Sequence, residues 1–456
     1  MKAKAEPYVS TTNACKLCKP LGACLAFRGI EGAVPFLHGS QGCATYMRRY
    51  VISHFREPMD IASSSLGEKH AIYGGGPNLK QGLKNVMEKY GAKLIGVAST
   101  CLTETIGDDV PLLVREFRQE TAKKAGLGET PELVTVSTPS YSGTHMEGFH
   151  AAVQAVVEQV AQGGEPTDAV NLLPGLVSPA DLRYLKEILE DFGLKGIILP
   201  DISESLDGSA QLEYAKIPAG GTLLEEIRAL GRSRATLELG RTLFSLPSAG
   251  KTLAERFGVP LYALGLPIGL RETDRFFQVL EELAGRPTPA RQADERGRLL
   301  DAYVDGHKYV FGKKAVVYGE EDLVAGLTAF LAEIGVRPVL CASGGQSGHL
   351  AEAVAAVTAD LLPEPALVRE GLDFYEIAEE AEALAPDLLI GHSKGYHLAR
   401  RWAVPLIRVG FPIHDRFGGQ RLLHLGYRGA QHLLDRIINA LLEKKQQDSP
   451  VGYGYL

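Results

Sequence analysis

The feature that most constrains this chain is a short, wholly apolar run leading into a loop of small residues and then a helix, repeated along its length. Residues 94–98 read as a buried strand with 99–103 as the loop leaving its carboxyl end, and 134–136 as a second strand feeding a turn at 138–142. Strands apolar on both faces need helices on both sides, which is the economy of doubly wound parallel sheets. A helix over about 148–162 closes this first unit, and the Gly-Gly-Glu-Pro-Thr stretch at 163–167 marks a boundary. A second unit follows, with strands near 169–173, 196–199 and 235–238 and helices near 179–192 and 222–230; Ser178 followed by Pro179 is a strong helix-start signal. A third has strands near 315–318, 338–341, 388–390 and 405–409. The expectation is an α/β chain of three Rossmann-like αβα domains with mainly parallel sheets, at 1–165, 166–305 and 306–456, the last ending in a helix. A length of 456 residues suits it, at roughly 100–200 residues per domain.

Composition narrows the setting. Hydrophobic residues make up 45% and charged residues 23%, both ordinary for a globular protein. No run approaches the roughly 18 apolar residues of a membrane helix, and the start M-K-A-K-A-E-P lacks the apolar core of a signal peptide. A cytoplasmic protein is expected, in which the six cysteines are reduced and serve metal ligation or packing rather than disulfides. A net charge of −7 without long basic runs argues against nucleic acid as a partner.

Three of those cysteines, Cys18, Cys43 and Cys101, sit among small or turn-forming residues, in C-K-P-L-G, H-G-S-Q-G-C and A-S-T-C-L-T-E. Iron bound to a thiolate needs room and nearby backbone N–H groups, and bent, exposed backbone supplies both. Their separations are too wide for a zinc finger or a C-x-x-C ferredoxin run, so as ligands they would have to converge through tertiary fold. On spacing alone, small core hydrophobes are the commoner reading of scattered cysteines. Cys101 and Ser140 both follow strands, where the loops of a parallel sheet can bring them together. Cys24 lies in an apolar helical run and Cys341 ends a buried strand; both read as packing. His38, Arg48, Arg49, His54 and Arg56 flank Cys43 and either balance cluster charge or form a solvated face. Gly344, Gly345 and Gly348 follow a strand, but no phosphate loop with its Lys and Ser/Thr is present.

The text around the cysteines resembles the β-type subunits of the nitrogenase component-1 family. The resemblance runs from C-K-P-L-G through H-G-S-Q-G-C and H-F-R-E-P, T-C-L-T-E-T-I-G-D-D at 100–109 and T-P-S-Y-S-G-T-H at 138–145, to R-V-G-F-P-I-H-D-R at 408–416 and L-G-Y-R-G-A at 425–430. It implies an eight-iron P-cluster-type iron–sulfur cluster shared with an α-type NifD/NifE-like partner, in a heterodimer usually doubled to a heterotetramer, and reduced by a NifH-like iron protein. The ligands it implies here are Cys18, Cys43 and Cys101, with Ser140 binding one iron in an oxidised state; the alternative for Ser140 is an ordinary turn residue after Pro139. Cys18 rather than Cys15 matches the ligand position in C-x-P-L-G, although Cys15 and Cys18 together form a C-x-x-C pair. Two functions fit such a chain: the electron-relaying subunit of a reductase, such as nitrogenase or methylthio-alkane reductase, or the NifN scaffold that pairs with NifE and holds a maturing cofactor. G-H-S-K-G-Y at 391–396 and S-P-V-G-Y at 449–453 look closer to NifN, as does the short segment before Cys18. A scaffold with a four-iron cluster has no need of three thiolates and a serine, and that full set favours the reductase.

Overall fold

Three sheets in which every strand pair is parallel carry the chain in this computed structural model, which describes residues 13–122, 130–213 and 215–452. The first holds β1 (Ala33–His38), β2 (Ala62–Ser63), β3 (Leu94–Ser99) and β4 (Glu132–Val136) in the order β2-β1-β3-β4. The second holds β5 (Val170–Leu173), β6 (Gly196–Ile198), β7 (Ala235–Leu239) and β8 (Leu261–Leu264) as β6-β5-β7-β8. The third holds β9 (Lys314–Tyr318), β10 (Arg337–Ala342), β11 (Leu367–Arg369), β12 (Leu388–Gly391) and β13 (Leu406–Arg408) as β11-β10-β9-β12-β13. The α/β reading therefore holds. β3 lies between β1 and β4 with all six residues buried, as its unbroken apolar run requires.

Strands read from the sequence recur within a residue or two of their expected ends, but β1, β2, β8 and β11 were not legible. Pro35 sits inside β1, and proline ordinarily argues against a strand interior; β2 is two residues long, and β8 is not fully buried at any position. The start at Ser178 is a full capping box: its hydroxyl accepts from the Asp181 N–H, and the Asp181 carboxylate accepts from the Ser178 N–H.

The three units interlock. Glu320, Glu321 and Asp322, which follow β9, face three ways: Glu320 to His145 (3.0 Å), Glu321 to the Ser347 N–H (3.2 Å) and Asp322 to the Thr242 N–H (2.8 Å). The helix Ala290–Val310 crosses position 305, and the C-terminal helix Gly426–Asp448 packs along it. One apolar core accordingly runs from Leu17 to Ile437.

Candidate cluster site

Each of the three singled-out cysteines begins a helix. Cys18 is the N-cap of Lys19–Arg28, Cys43 lies in the first turn of Gln41–Phe55, and Cys101 opens Cys101–Ile106. The sequence suggested bent loops; the correction matters, because free N–H groups at a helix start favour negative charge beside them. Cys43 and Cys101 follow the carboxyl ends of the paired strands β1 and β3, whose last residues His38 and Ser99 are in register. The Thr100 hydroxyl donates to the His38 carbonyl at 3.0 Å and ties these two loops together. Ser140 follows β4 on the other side of β3 and donates its N–H to the Cys101 sulfur at 3.1 Å.

Cys18 reaches the same edge by helix packing. An antiparallel bridge joins it to Thr144, the His145 N–H donates to the Leu17 carbonyl (3.0 Å), and the Lys19 N–H donates to Ser140 Oγ at 3.3 Å. Two glycines permit this. A Cβ on Gly22 would stand 1.7 Å from the His145 carbonyl oxygen, and one on Gly148 would stand 1.9 Å from that of Lys19. The result is a cavity of about 300 Å³ lined by Cys18, Ser140, Tyr46, Met47, Tyr50 and Lys394, among others. Tyr46, Met47 and Tyr50 come from the helix of Cys43, so the segments of Cys18 and Cys43 both line the cavity, while Cys101 joins it through Ser140. Burial and the neighbouring Tyr46 push the Tyr50 hydroxyl up to about 12.

Among the described residues no three His, Cys, Asp or Glu side chains converge as they would on a single metal ion. Cys18 is exposed and Cys43 and Cys101 are half-buried, and Cys101 has the Ser140 N–H at hand; accessible thiols of this kind suit a group approached from outside. The other cysteines do not fit such a role. Cys15, Cys24 and Cys341 are buried, burial holds all three thiols protonated, and it raises Cys15 and Cys341 to about 12. Cys15 faces His392 Nε2 at 3.8 Å and Cys341 pairs with the Thr328 hydroxyl at 3.2 Å.

The basic residues near Cys43 are largely engaged elsewhere. His38 is buried between Ser64 (2.9 Å) and Asp108 (3.0 Å), Arg48 bonds the Met59 carbonyl (2.8 Å), His54 accepts the Ile413 N–H (2.8 Å), and Arg56 caps its helix in the left-handed conformation. Two lysines do line the cavity, Lys16 beside Cys18 in the chain and the distant Lys394, whose ammonium donates to the Ala14 carbonyl. Burial lowers it and the thiols of Cys15 and Cys18 act in the opposite direction. Its G-H-S-K-G-Y segment stands out in the sequence, but nothing local to that segment places it beside Cys18, far away in the chain.

A family profile described as nitrogenase component 1 type oxidoreductase matches residues 18–442. The chain belongs to that family. It is 36% identical to the nitrogenase molybdenum-iron protein beta chain of Clostridium pasteurianum over 440 residues, 96% of this chain and 94% of that one. It is 34% identical to the nitrogenase vanadium-iron protein beta chain of Trichormus variabilis over 431 residues, covering 93% and 92%. A solved structure described as nitrogenase Cp1 at pH 6.5 superposes with a TM-score of 0.93 over 100% of this chain and 99% of that chain, at 34% identity. The protein is thus a β-type subunit of a nitrogenase-like oxidoreductase complex. No helix among the described residues is long and apolar enough to cross a membrane.

Proposed function

We propose that this chain is the β-type half of a cytoplasmic nitrogenase-like reductase, holding one side of an eight-iron P-cluster-type iron–sulfur cluster through Cys18, Cys43, Cys101 and Ser140. An α-type partner supplies the remaining ligands and the catalytic cofactor, and the heterodimer doubles to a heterotetramer. When bound, such a cluster supplies storage and onward transfer of electrons received from an iron protein. The observation that carries the reading is the division of six cysteines into three at accessible helix starts and three buried as protonated thiols. The Ser140 N–H stabilises charge on the Cys101 sulfur, and the Lys19 N–H orients Ser140 Oγ. That hydroxyl is the hard donor of the set and the atom from which a proton can leave when negative charge is needed there.

The scaffold reading keeps one supporting observation: the 391–396 segment that looks NifN-like sends Lys394 into the Cys18 cavity. Iron and sulfide analysis of the heterodimer, with a redox titration, separates the two. Replacing Cys18, Cys43 or Cys101 with Ala is expected to strip cluster iron and weaken the heterodimer, while Cys24→Ala and Cys341→Ala retain it. Full iron in Cys43→Ala would refute the ligand set. Ser140→Ala is expected to shift the oxidation potential with iron content intact. An unshifted potential together with only four irons per heterodimer outside the cofactor would favour the scaffold.

A further inference from the structure

The C-terminal helix Gly426–Asp448 and the end of β13 enclose an open groove of about 470 Å³ that shares no lining residue with the cavity at Cys18. One helical stripe, Arg436, Asn439, Ala440 and Glu443, forms one wall, and Leu406, Ile413, Phe417 and Leu422 supply an apolar one. Three arginines line it: Arg408, Arg416 and Arg436.

Their charges are unequally compensated. Arg408 is saturated by Asp415, with contacts of 3.0, 3.0 and 2.6 Å to its two carboxylate oxygens. Asp415 also accepts from the Ser393 hydroxyl and stands 3.7 Å from exposed Arg416, so little of its accepting capacity is left. Arg436 is half-buried, makes no ion pair among the described residues, and donates Nη2 to the Arg408 carbonyl at 2.7 Å. The acid lining the groove, Glu443, is exposed near the end of the helix and accepts from Gln447 at 3.3 Å. A partly desolvated guanidinium held beside a second one, with no carboxylate of its own, is costly unless an anion joins it. Burial and the charge of Arg408 both disfavour its protonated form, in keeping with that cost.

We propose that this groove binds a small organic carboxylate, its carboxylate on the Arg436 guanidinium with Arg416 closing over it and its apolar body against Leu406, Ile413, Phe417 and Leu422. A planar guanidinium matches a carboxylate in two parallel hydrogen bonds, and the apolar wall selects an anion with a hydrocarbon part over a bare inorganic one. The site lies outside the cavity at Cys18 and does not depend on the cluster assignment.

The test uses the intact heterodimer, with benzoate as probe and benzyl alcohol and inorganic phosphate as comparisons. Calorimetric titration is expected to show saturable benzoate binding, weaker phosphate binding and none for benzyl alcohol. Arg436→Gln is expected to weaken benzoate at least about tenfold, since a hydrogen bond to a charged group is worth about 1.5–3 kcal/mol. Arg436→Lys should restore part of the affinity. Arg416→Gln, at an exposed position, weakens binding about threefold without touching the fold, so the proposal stays testable should Arg436→Gln misfold. Crystals soaked in 4-bromobenzoate should place the bromine anomalous peak in this groove. No saturable heat, equal affinity in Arg416→Gln and Arg436→Gln to the unsubstituted protein, or a bromine peak elsewhere would each overturn it.

Discussion

His54 and His392 show what burial does to single residues here. Desolvation brings both down to about 3, even though the charge of Glu320 favours their protonation. His54 accepts the Ile413 N–H at 2.8 Å and packs on Phe411, while His392 faces Cys15. Between pH 3 and about 6.5 the unfolded chain binds more protons than the folded one at these two sites, so their contribution is complete above about 6.5 and is lost as pH falls. Glu321 works in the opposite sense: burial raises it to about 7, so its contribution is complete below about 4.5 and is lost as pH rises through 7. Two histidines outweigh one carboxyl. The urea midpoint should fall from pH 6.5 to 4.5, and His54→Gln or His392→Gln should each flatten the slope by up to about 1.4 kcal/mol per pH unit. Unchanged slopes in both variants would contradict burial as the cause. At this scale the sequence already distinguished the thiols: small, turn-forming neighbours set Cys18, Cys43 and Cys101 apart from Cys24 and Cys341. It did not show Lys394 at the cavity, because nothing local to a lysine reports which distant loop it will meet.

Between elements, the decisive contact is that of the helices Lys19–Arg28 and His145–Val160, which touch backbone to backbone at Gly22 and Gly148. This contact brings Cys18 beside Ser140. Gly22→Ala would gain helix propensity worth about 1 kcal/mol, but it places a methyl group inside a carbonyl oxygen. The expected net effect is a loss of about 3 kcal/mol or more, the upper end of ordinary overpacking, with loss of cluster iron because Cys18 is displaced. Gly297→Ala is the matched control. It lies within the helix Ala290–Val310 with nothing near its absent Cβ, and should stabilise by up to about 1 kcal/mol. Urea unfolding of the two variants checks both signs, and wild-type stability with full iron in Gly22→Ala would remove the packing argument. P-L-G-A was legible as a motif; the reason for its glycine was not, since the partner carbonyl belongs to a helix more than a hundred positions away.

At the scale of the whole molecule, the largest apolar core is shared by three sheets, smaller clusters cover the other faces of the first and third sheets, and buried acids after β9 are bonded into each unit. Sheets that share a core should not unfold separately. Trp402, the only tryptophan, packs on the opposite face of the third sheet and reports that unit alone. Its fluorescence and the far-ultraviolet circular dichroism are expected to trace the same urea transition. A fluorescence change at lower urea would show that the third sheet is an independent domain.

Apolar runs, cap signals and small-residue loops determined from sequence alone that this would be a parallel α/β chain, that β3 would be central and which cysteines would be accessible, because each depends on residues close together in the chain. Tertiary structure decided what required distant segments to meet: the helix starts that present the thiols, the Ser140 N–H on Cys101, the glycine contact that delivers Cys18 and the uncompensated Arg436. Those outcomes depend on how the sheets and their helices pack, and packing is a property of surfaces assembled only once the elements exist.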